Sequence, residues 1–380
     1  DVKNAYVKAD LGGEEVWVNL PRRCRPKIHD RFRNPVVRLE RALYGLRRAG
    51  LDWGLKVRLD MTKKLGWSWV RDCGETSVFY QKSVVCVVFT DDFKLAGRRT
   101  EVYAAYYELH RHFGFSESSA AKPESGEFIG LEKQKVPMGV GFSSVKLHQT
   151  KYVLMLTEKF EKRVGHTLRH MKTPMKEKRE ERDKQRALEY GEFTSEAAEW
   201  IGALFWIARG TRFDLLYCVH LLSTRLVTWS AEEDDILYRC MQYLKAHPTV
   251  GITMTVCHMD FERGKLYLDL WTDADHAGDA ADAKSCSGWC LLLKGERSRA
   301  ALDAVAKKQT FTAKSTPDSE ITVVADGVVR SSAIAYIIFS QIWGRNLSER
   351  IHCDNTAGVS AVKAGMSKKL SYMRRTQRVS

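Results

Sequence analysis

Trp53, Val57, Met61 and Leu65 recur at every fourth residue and are followed by Gly66. That spacing predicts a helix with one apolar face and a glycine stop. The stretch Leu39–Ala49 ahead of them reads as the opening of this helix. Val16–Leu20 instead alternates, as a strand does, and ends at Pro21. The apolar, β-branched run Val84–Phe89 predicts a buried strand. It breaks at Asp91 and Asp92 and resumes as a second short strand, so both carboxylates are expected at the tip of a hairpin, beside a strand at Ser77–Tyr80. Thr100 is the expected cap of another helix, with Val102, Tyr106, Leu109 and Phe113 on one face and Gly114 after it. Gly126–Glu132 predicts one short strand bracketed by glycines, and Lys151–Phe160 a helix.

Lys172–Arg186 is dense in Lys, Arg and Glu and reads as a linker or a solvated helix. Helices follow at Ser195–Arg209, then through Leu222, then at Glu232–Ala246, where Ile236, Cys240, Tyr243 and Leu244 point inward. From Gly264 the period becomes two: Leu266, Leu268 and Leu270 alternate, and the strand runs out at Trp271–Asp275. Cys286–Leu293 gives a second strand and Lys307–Thr310 the end of a third. Thr316 is the N-cap candidate of a long helix, Pro317 suits its first position, and Ile321, Val324, Val328, Ala335 and Ile338 continue it. Arg350–Asp354 predicts a fourth strand, and Asn355 opens a final helix.

Composition changes the picture in one respect. Hydrophobic residues at 44% and charged residues at 28% are ordinary for a globular protein, but the net charge of +14 favours a polyanionic partner, nucleic acid first. An acidic membrane surface is the rival, although no apolar run approaches the roughly 20 residues of a membrane span and no signal peptide opens the chain. Nine cysteines without a C-x-x-C pair read as reduced thiols. His166 and His170 lack a third ligand nearby in sequence, which argues against zinc. The chain begins at Asp1 rather than Met, so a fragment of something longer is expected.

Asp91 and Asp92 repel each other. A pair of divalent ions taking oxygen ligands would compensate them; a solvated turn is the other reading. Asp273 ends a strand, Glu320 lies in the first turn of a helix and Asp354 ends another strand. Taken singly, these are a turn residue, a partner of the helix dipole and a helix cap. Together they can converge on one sheet edge and suit a two-metal site.

Four motifs appear in order: Asp-x-x-x-Ala-Tyr from Asp1 to Tyr6, Ala42–Ala49 (Ala-Leu-Tyr-Gly-Leu-Arg-Arg-Ala), Phe89-Thr90-Asp91-Asp92, and Phe128–Glu132 (Phe-Ile-Gly-Leu-Glu). They resemble the reverse transcriptase of Copia-type retrotransposons, where Tyr-Val-Asp-Asp is usual at the third motif. The resemblance runs on through Leu147–Tyr152 and Thr173–Met175. Thr211–Asp214 is similar to the family's Thr-Arg-Pro-Asp, with Phe213 in place of proline. Asp273–Gly278 resembles its Asp-Ser-Asp-Trp-Ala-Gly, Ser315–Glu320 its Ser-Thr-Glu-Ala-Glu, and Cys353-Asp354-Asn355 its Glu-Asp-Asn. The strand-strand-strand-helix-strand-helix order is that of a ribonuclease H fold.

The resemblance implies an α+β and α/β multidomain chain: a polymerase palm and thumb region over 1–175 that lacks the fingers, a helical connection over 176–262 and a ribonuclease H-like domain over 263–380. It implies two catalytic groups holding Mg²⁺ or Mn²⁺, namely Asp1, Asp91 and Asp92, and Asp273, Glu320 and Asp354. Tyr6 would lie beneath the nucleotide sugar and exclude a 2′-hydroxyl. Arg47 and Arg48 would touch template phosphates, although Arg48 stands where the family often has Gln. The implied partners are an RNA template, a DNA primer, RNA–DNA hybrid and deoxynucleotide triphosphates, with no membrane. The implied location is cytoplasmic, including a virus-like particle, or nuclear, and not secreted. Tyr372–Arg375 stands where the family has a fourth carboxylate beside a histidine. With Asp1 at the very start of the chain, fraying of its carboxylate and a lack of primer extension are expected. The alternative to this enzyme is a decayed element copy that binds nucleic acid and catalyses nothing. An integrase core has three carboxylates on a similar fold, but the motifs before Gly264 argue against it.

Overall fold

The computed structural model describes residues 2–72, 74, 77–116, 125–176, 181–278 and 283–364. They fall into two units, divided after Ala121, with Gln341–Gly344 grouped with the first.

In the first unit, β1 (Trp17–Asn19) and β2 (Val36–Arg38) form a separate antiparallel ribbon. Helix α1 (Ala49–Leu59) starts later than the sequence predicts. The reason lies far away in the chain: Ala42 donates its N–H to the Ala9 carbonyl at 3.0 Å, and Asp10 pairs with Arg41. Backbone spent on that pairing cannot form helix, and Gly45 at φ +93° turns the chain before α1 begins. Trp53, Val57 and Met61 are buried as their spacing predicts. The helix widens into a π-type turn at Asp60–Lys64 before Gly66 ends it at φ +70°. Strands β3 (Ser68–Trp69), β4 (Val78–Gln81), β5 (Val84–Phe89) and β6 (Asp92–Ala96) form one antiparallel sheet in that order. Helix α2 (Arg99–Phe113) has Arg98, not Thr100, at its N-cap; Glu101 in its first turn accepts from the N–H and hydroxyl of Ser83 at 3.1 and 2.6 Å. Trp53, Met61, Phe79, Cys86, Leu109 and Phe113 centre the core.

In the second unit, Gly126–Glu132 forms a hairpin rather than one strand. β7 (Ser125–Phe128) and β8 (Leu131–Lys135) are joined through Ile129 and Gly130, both at positive φ. Next come β9 (Phe142–His148), α3 (Thr150–Val164), α4 (Glu181–Arg186), α5 (Ala197–Gly210), α6 (Leu216–Thr224) and α7 (Ala231–Ala246). Phe160, Phe193, Trp200, Leu204, Leu222 and Leu237 form the core of the helical layer. Then follow β10 (Ile252–Cys257), α8 (His258–Glu262), β11 (Tyr267–Asp275), β12 (Cys286–Lys294), β13 (Arg299–Lys308), α9 (Thr316–Gly327), α10 (Ala333–Trp343), β14 (Ser348–His352) and α11 (Thr356–Lys363). Eight strands make one mixed sheet, ordered β14-β11-β12-β13-β10-β9-β8-β7. Among the described residues only β11 and β14 run parallel; β10 joins β13 through the single pair Thr255–Arg299.

Ser315, not Thr316, caps α9: its hydroxyl accepts from the Asp318 N–H at 3.4 Å. A π-type turn at Val328–Ser332 links α9 to α10. The continuous helix Thr316–Trp343 has 28 residues and is apolar enough, by length and composition, to cross a membrane, which corrects the expectation that no stretch approaches that length. The core helix of a globular domain meets the same criterion, and Ile321 and Val323 are buried in this unit.

Candidate carboxylate sites

The β5–β6 hairpin pairs Phe89 with Asp92, leaving Thr90 and Asp91 as its two-residue tip. Thr90 sits at φ +55°, a left-handed conformation that a β-branched residue rarely adopts. Three contacts hold this tip. Trp53 donates its indole N–H to the Thr90 carbonyl at 2.5 Å, Val2 donates its N–H to the Asp91 carbonyl at 2.8 Å, and Phe93 packs 5.1 Å from Phe113. Asp91 and Asp92 are both half-buried. Asp1 lies outside the described residues, but its neighbour Val2 is buried and bridged to Phe115.

Tyr6 is half-buried, with its ring 4.6 Å from that of Tyr44. It lines a cavity of about 210 Å³ together with Trp53, Phe79, Val88 and Thr90. Arg47 is exposed. Arg48 pairs with the buried carboxylate of Asp52 at 2.9 Å and packs on Gly12 and Gly13, where an added Cβ would meet its guanidinium at 2.6 and 3.0 Å.

The second group forms where β14 ends at His352, opposite Trp271, while β11 runs on to Asp275 with Asp273 inside the strand rather than at its end. Thr272 donates its hydroxyl to the His352 carbonyl at 3.0 Å, which ties the end of β14 to β11. Asp273 is exposed on β11, and Asp354 is exposed two residues past β14. Glu320 is the fifth residue of α9, one turn further in than the sequence predicts because Ser315 is the cap and Asp318 holds the first turn; it is buried, and its Oε1 accepts from the Ala274 N–H at 3.4 Å. The donor atoms of Glu320, Cys353 and Asp354 lie within 4.8 Å of one another. Burial pushes the Glu320 carboxyl above its usual range, and the neighbouring charges of Asp354 and Asp273 add to this. A divalent cation would offset that crowding, so the donor set fits one. Sequence reasoning named Cys353 only within a motif. Its thiol reaches Glu320 Oε2 at 3.6 Å, and burial, then the Glu320 and Asp354 charges, raise its pKa.

A polar cluster on the neighbouring stretch of β11 and β14 was also missed. Buried Asp269 accepts from the Trp271 indole N–H at 2.8 Å, the Lys294 ammonium at 3.0 Å and His352 Nε2 at 2.8 Å. Burial raises the Asp269 carboxyl, but those hydrogen bonds outweigh it and hold it below the usual range. The Trp271 and His352 rings stack at 4.0 Å. Alternation along β11 could have revealed this, since Asp269, Trp271 and Asp273 share one face. The position expected to hold a fourth carboxylate, Tyr372–Arg375, lies outside the described residues.

Three similar proteins bear on the meaning of these sites. A retrovirus-related Pol polyprotein from transposon RE2 of Arabidopsis thaliana is 27% identical over 368 residues, covering 93% of this chain and 22% of that protein. The corresponding protein from transposon RE1 is 27% identical over 364 residues, with the same coverage. The truncated transposon Ty1-A Gag-Pol polyprotein of Saccharomyces cerevisiae is 24% identical over 386 residues, covering 96% of this chain and 29% of that protein. The homologues of this chain are Copia- and Ty1-type retrotransposon Gag-Pol polyproteins. The chain spans less than a third of the length of each. No protein-family model matches it. Against that homology, the mixed α/β fold carries one carboxylate pair on a hairpin and one carboxylate–thiol cluster between α9 and the end of β14.

Proposed function

We propose that this chain is the part of a retrotransposon polyprotein that carries RNA-directed DNA polymerase and ribonuclease H chemistry. On this reading residues 1–175 are the palm and thumb region, 176–262 a helical connection and 263–380 a ribonuclease H-like domain. The observation that carries the reading is the convergence of Glu320, Asp354 and Cys353, with the Glu320 carboxyl raised by Asp354 and Asp273. Glu320, Asp354 and Asp273 would hold divalent ions, Mg²⁺ or Mn²⁺. Bound there, such ions supply an activated water and offset charge on the phosphate.

The chain's own residues do the positioning. The Ala274 N–H fixes one Glu320 oxygen, and the Thr272–His352 hydrogen bond holds the end of β14 against β11. In the other unit, Asp91 and Asp92, with Asp1, would take the corresponding role in joining deoxynucleotides to a primer on an RNA template. Tyr6 would pack beneath the incoming sugar. Arg47, exposed and without a carboxylate partner among the described residues, is the freer of the two arginines for template phosphate. RNA–DNA hybrid is the nuclease substrate, and the setting is cytoplasmic, a virus-like particle included, or nuclear. The rival reading, an inert copy that only binds nucleic acid, is not favoured.

The test is cleavage of the RNA strand of a hybrid with Mg²⁺ or Mn²⁺. Asp273→Asn keeps the side-chain shape and removes a charge, so the rate should fall roughly a hundredfold or more. Equal cleavage by the wild type and Asp273→Asn overturns the assignment.

A further inference from the structure

The ribbon of β1 and β2 stands apart from the four-stranded sheet of its unit. Val18 and Val37, paired across it, are half-buried on one face; Trp17, Asn19, Val36 and Arg38 are exposed on the other. The connecting loop is set by two prolines. Pro21 and Pro26, at φ −52° and −56° with extended ψ, each precede a 3₁₀ turn, Arg22–Cys24 and Lys27–Arg31. Proline fixes φ and reduces the freedom of the loop, so its charges are held in place rather than on a floppy tether.

Charge is concentrated here. Between Arg22 and Arg48 the chain has ten Arg and Lys residues against two acidic ones, more than half of its net +14. Some of these cations are already engaged. Arg38 pairs with Glu15 at 2.7 Å, Arg41 with Asp10 at 2.5 Å and Arg48 with Asp52, and Arg25 donates to Leu20 O and Asn19 Oδ1 at 2.6 Å. Arg22, Arg23, Lys27 and Arg33 are exposed and have no carboxylate partner among the described residues. Asp30 is the single acidic residue in the loop that carries them, so the loop keeps a net positive charge. Two exposed rings belong to the same ribbon and loop: Trp17 on β1 is 56% exposed and Phe32 in the loop 55%, with the Arg31 guanidinium 5.3 Å from the Phe32 ring centre. Cations take phosphates and open rings take unpaired base faces, which a duplex hides.

We propose that this ribbon and its loop bind single-stranded nucleic acid, with phosphates on Arg22, Arg23, Lys27 and Arg33 and bases on Trp17 and Phe32. The inference draws on the nucleic-acid reading above but not on its chemistry. The experiment uses the full chain and fluorescent 20-mers of oligo(dT) and oligo(U), with a hairpin duplex alongside. Arg22→Glu/Arg23→Glu/Lys27→Glu/Arg33→Glu is compared with the control Lys63→Glu/Arg111→Glu/Arg169→Glu/Lys172→Glu, which changes the net charge equally. Reversal in the ribbon should raise the dissociation constant at least about tenfold at roughly 50 mM salt. It should also lower the slope of log affinity against log salt by about 3, because each lost single-strand phosphate contact removes ~0.7. The control should shift the constant less than about threefold, since none of its four residues belongs to the ribbon or its loop and salt screens the general effect of net charge. Trp17→Ala/Phe32→Ala should weaken binding roughly fivefold or more without changing the slope.

Tighter binding of oligo(U) than oligo(dT), or the reverse, identifies the strand type and supports the site in either case. Equal weakening by both charge-reversed variants, an unaffected ribbon variant, or a preference for duplex overturns it. So does a ribbon variant that loses only its binding to phosphatidylserine vesicles. If hybrid is cleaved in an Asp273-dependent way while both reversed variants bind alike, the proposed function stands and the ribbon assignment falls. Ribbon-dependent binding without Asp273-dependent cleavage does the reverse: the ribbon assignment stands and the nuclease reading falls.

Discussion

Asp60→Asn should destabilise the first unit at neutral pH and not in strong acid. Asp60 opens the π-type turn after α1 and is 4% exposed. Its oxygens accept from Lys64 at 2.7 Å, Lys56 at 2.9 Å and His112 at 3.0 Å. Burial pushes this carboxyl up, but the hydrogen bonds from Lys64, Lys56 and His112 outweigh it, and the pKa falls from 3.8 to about 2. A depressed folded-state pKa stabilises the fold in full above the unfolded value and loses that stabilisation as pH falls through the folded one. The window is therefore from about pH 4 down to about pH 2. At 1.36 kcal/mol per pKa unit, the ceiling is about 2.4 kcal/mol at pH 7. Lys64 is 59% exposed, so water screens part of this, and a loss of about 2 kcal/mol is expected. A two-unit chain need not unfold in one step. The readout is therefore hydrogen exchange in rising urea, followed by mass spectrometry on peptides spanning 49–64. A loss below about 0.5 kcal/mol at pH 7, or an equal loss at pH 2, would refute the reasoning.

Two further substitutions test local physics. Gly54 lies inside α1 with nothing within 4 Å of an added Cβ, so Gly54→Ala should stabilise α1 by about 0.5–1 kcal/mol in the same exchange experiment. Ser230 caps α7 in a full capping box, accepting from the Glu232 N–H while Glu233 accepts from the Ser230 N–H at 2.9 Å; Ser230→Ala should cost about 1 kcal/mol, read as faster exchange over 231–246.

The mixed α/β character of the chain was legible because both periods are written plainly into it: four-residue recurrence at Trp53–Met61 and two-residue alternation at Leu266–Leu270. What was illegible depended on partners distant in sequence. Nothing local says that Ala42 bonds to Ala9, so Leu39–Arg48 looked like helix. Strand β10 was missed although Ile252, Met254 and Val256 alternate with Thr253 and Thr255. Its burial is partial and its partner β9 lies more than a hundred residues earlier. The shift from Thr316 to Ser315 as the cap of α9 is one residue and could not be decided without geometry, since both side chains can cap. At the candidate site, Glu320 and Asp354 were visible as residues, but Cys353 was not visible as a neighbour of Glu320. A thiol beside a strand-end carboxylate carries no periodic signal, and only the parallel pairing of β11 with β14 brings it there.

The two carboxylate groups are assembled by different routes. On the hairpin, Asp91 and Asp92 are adjacent in the chain, so the turn alone brings them together. The tip is anchored through Trp53 and Val2, and Thr90 is held in a left-handed conformation there. Where β14 ends beside β11, Asp273, Glu320 and Asp354 are far apart in sequence, and each could be removed by one small movement. They stay because the apolar halves of the same elements do not allow that movement. Leu268 and Leu270 are fully buried, the added Cβ of Gly327 would meet Leu270 at 3.3 Å, and Ile321 and Val323 lie one and three residues past Glu320. Packing of that density transmits small displacements instead of absorbing them. A cavity at Leu270 should therefore loosen the Glu320–Cys353–Asp354 cluster before it unfolds the sheet, and the placement of the carboxylates belongs to the core as much as to the site.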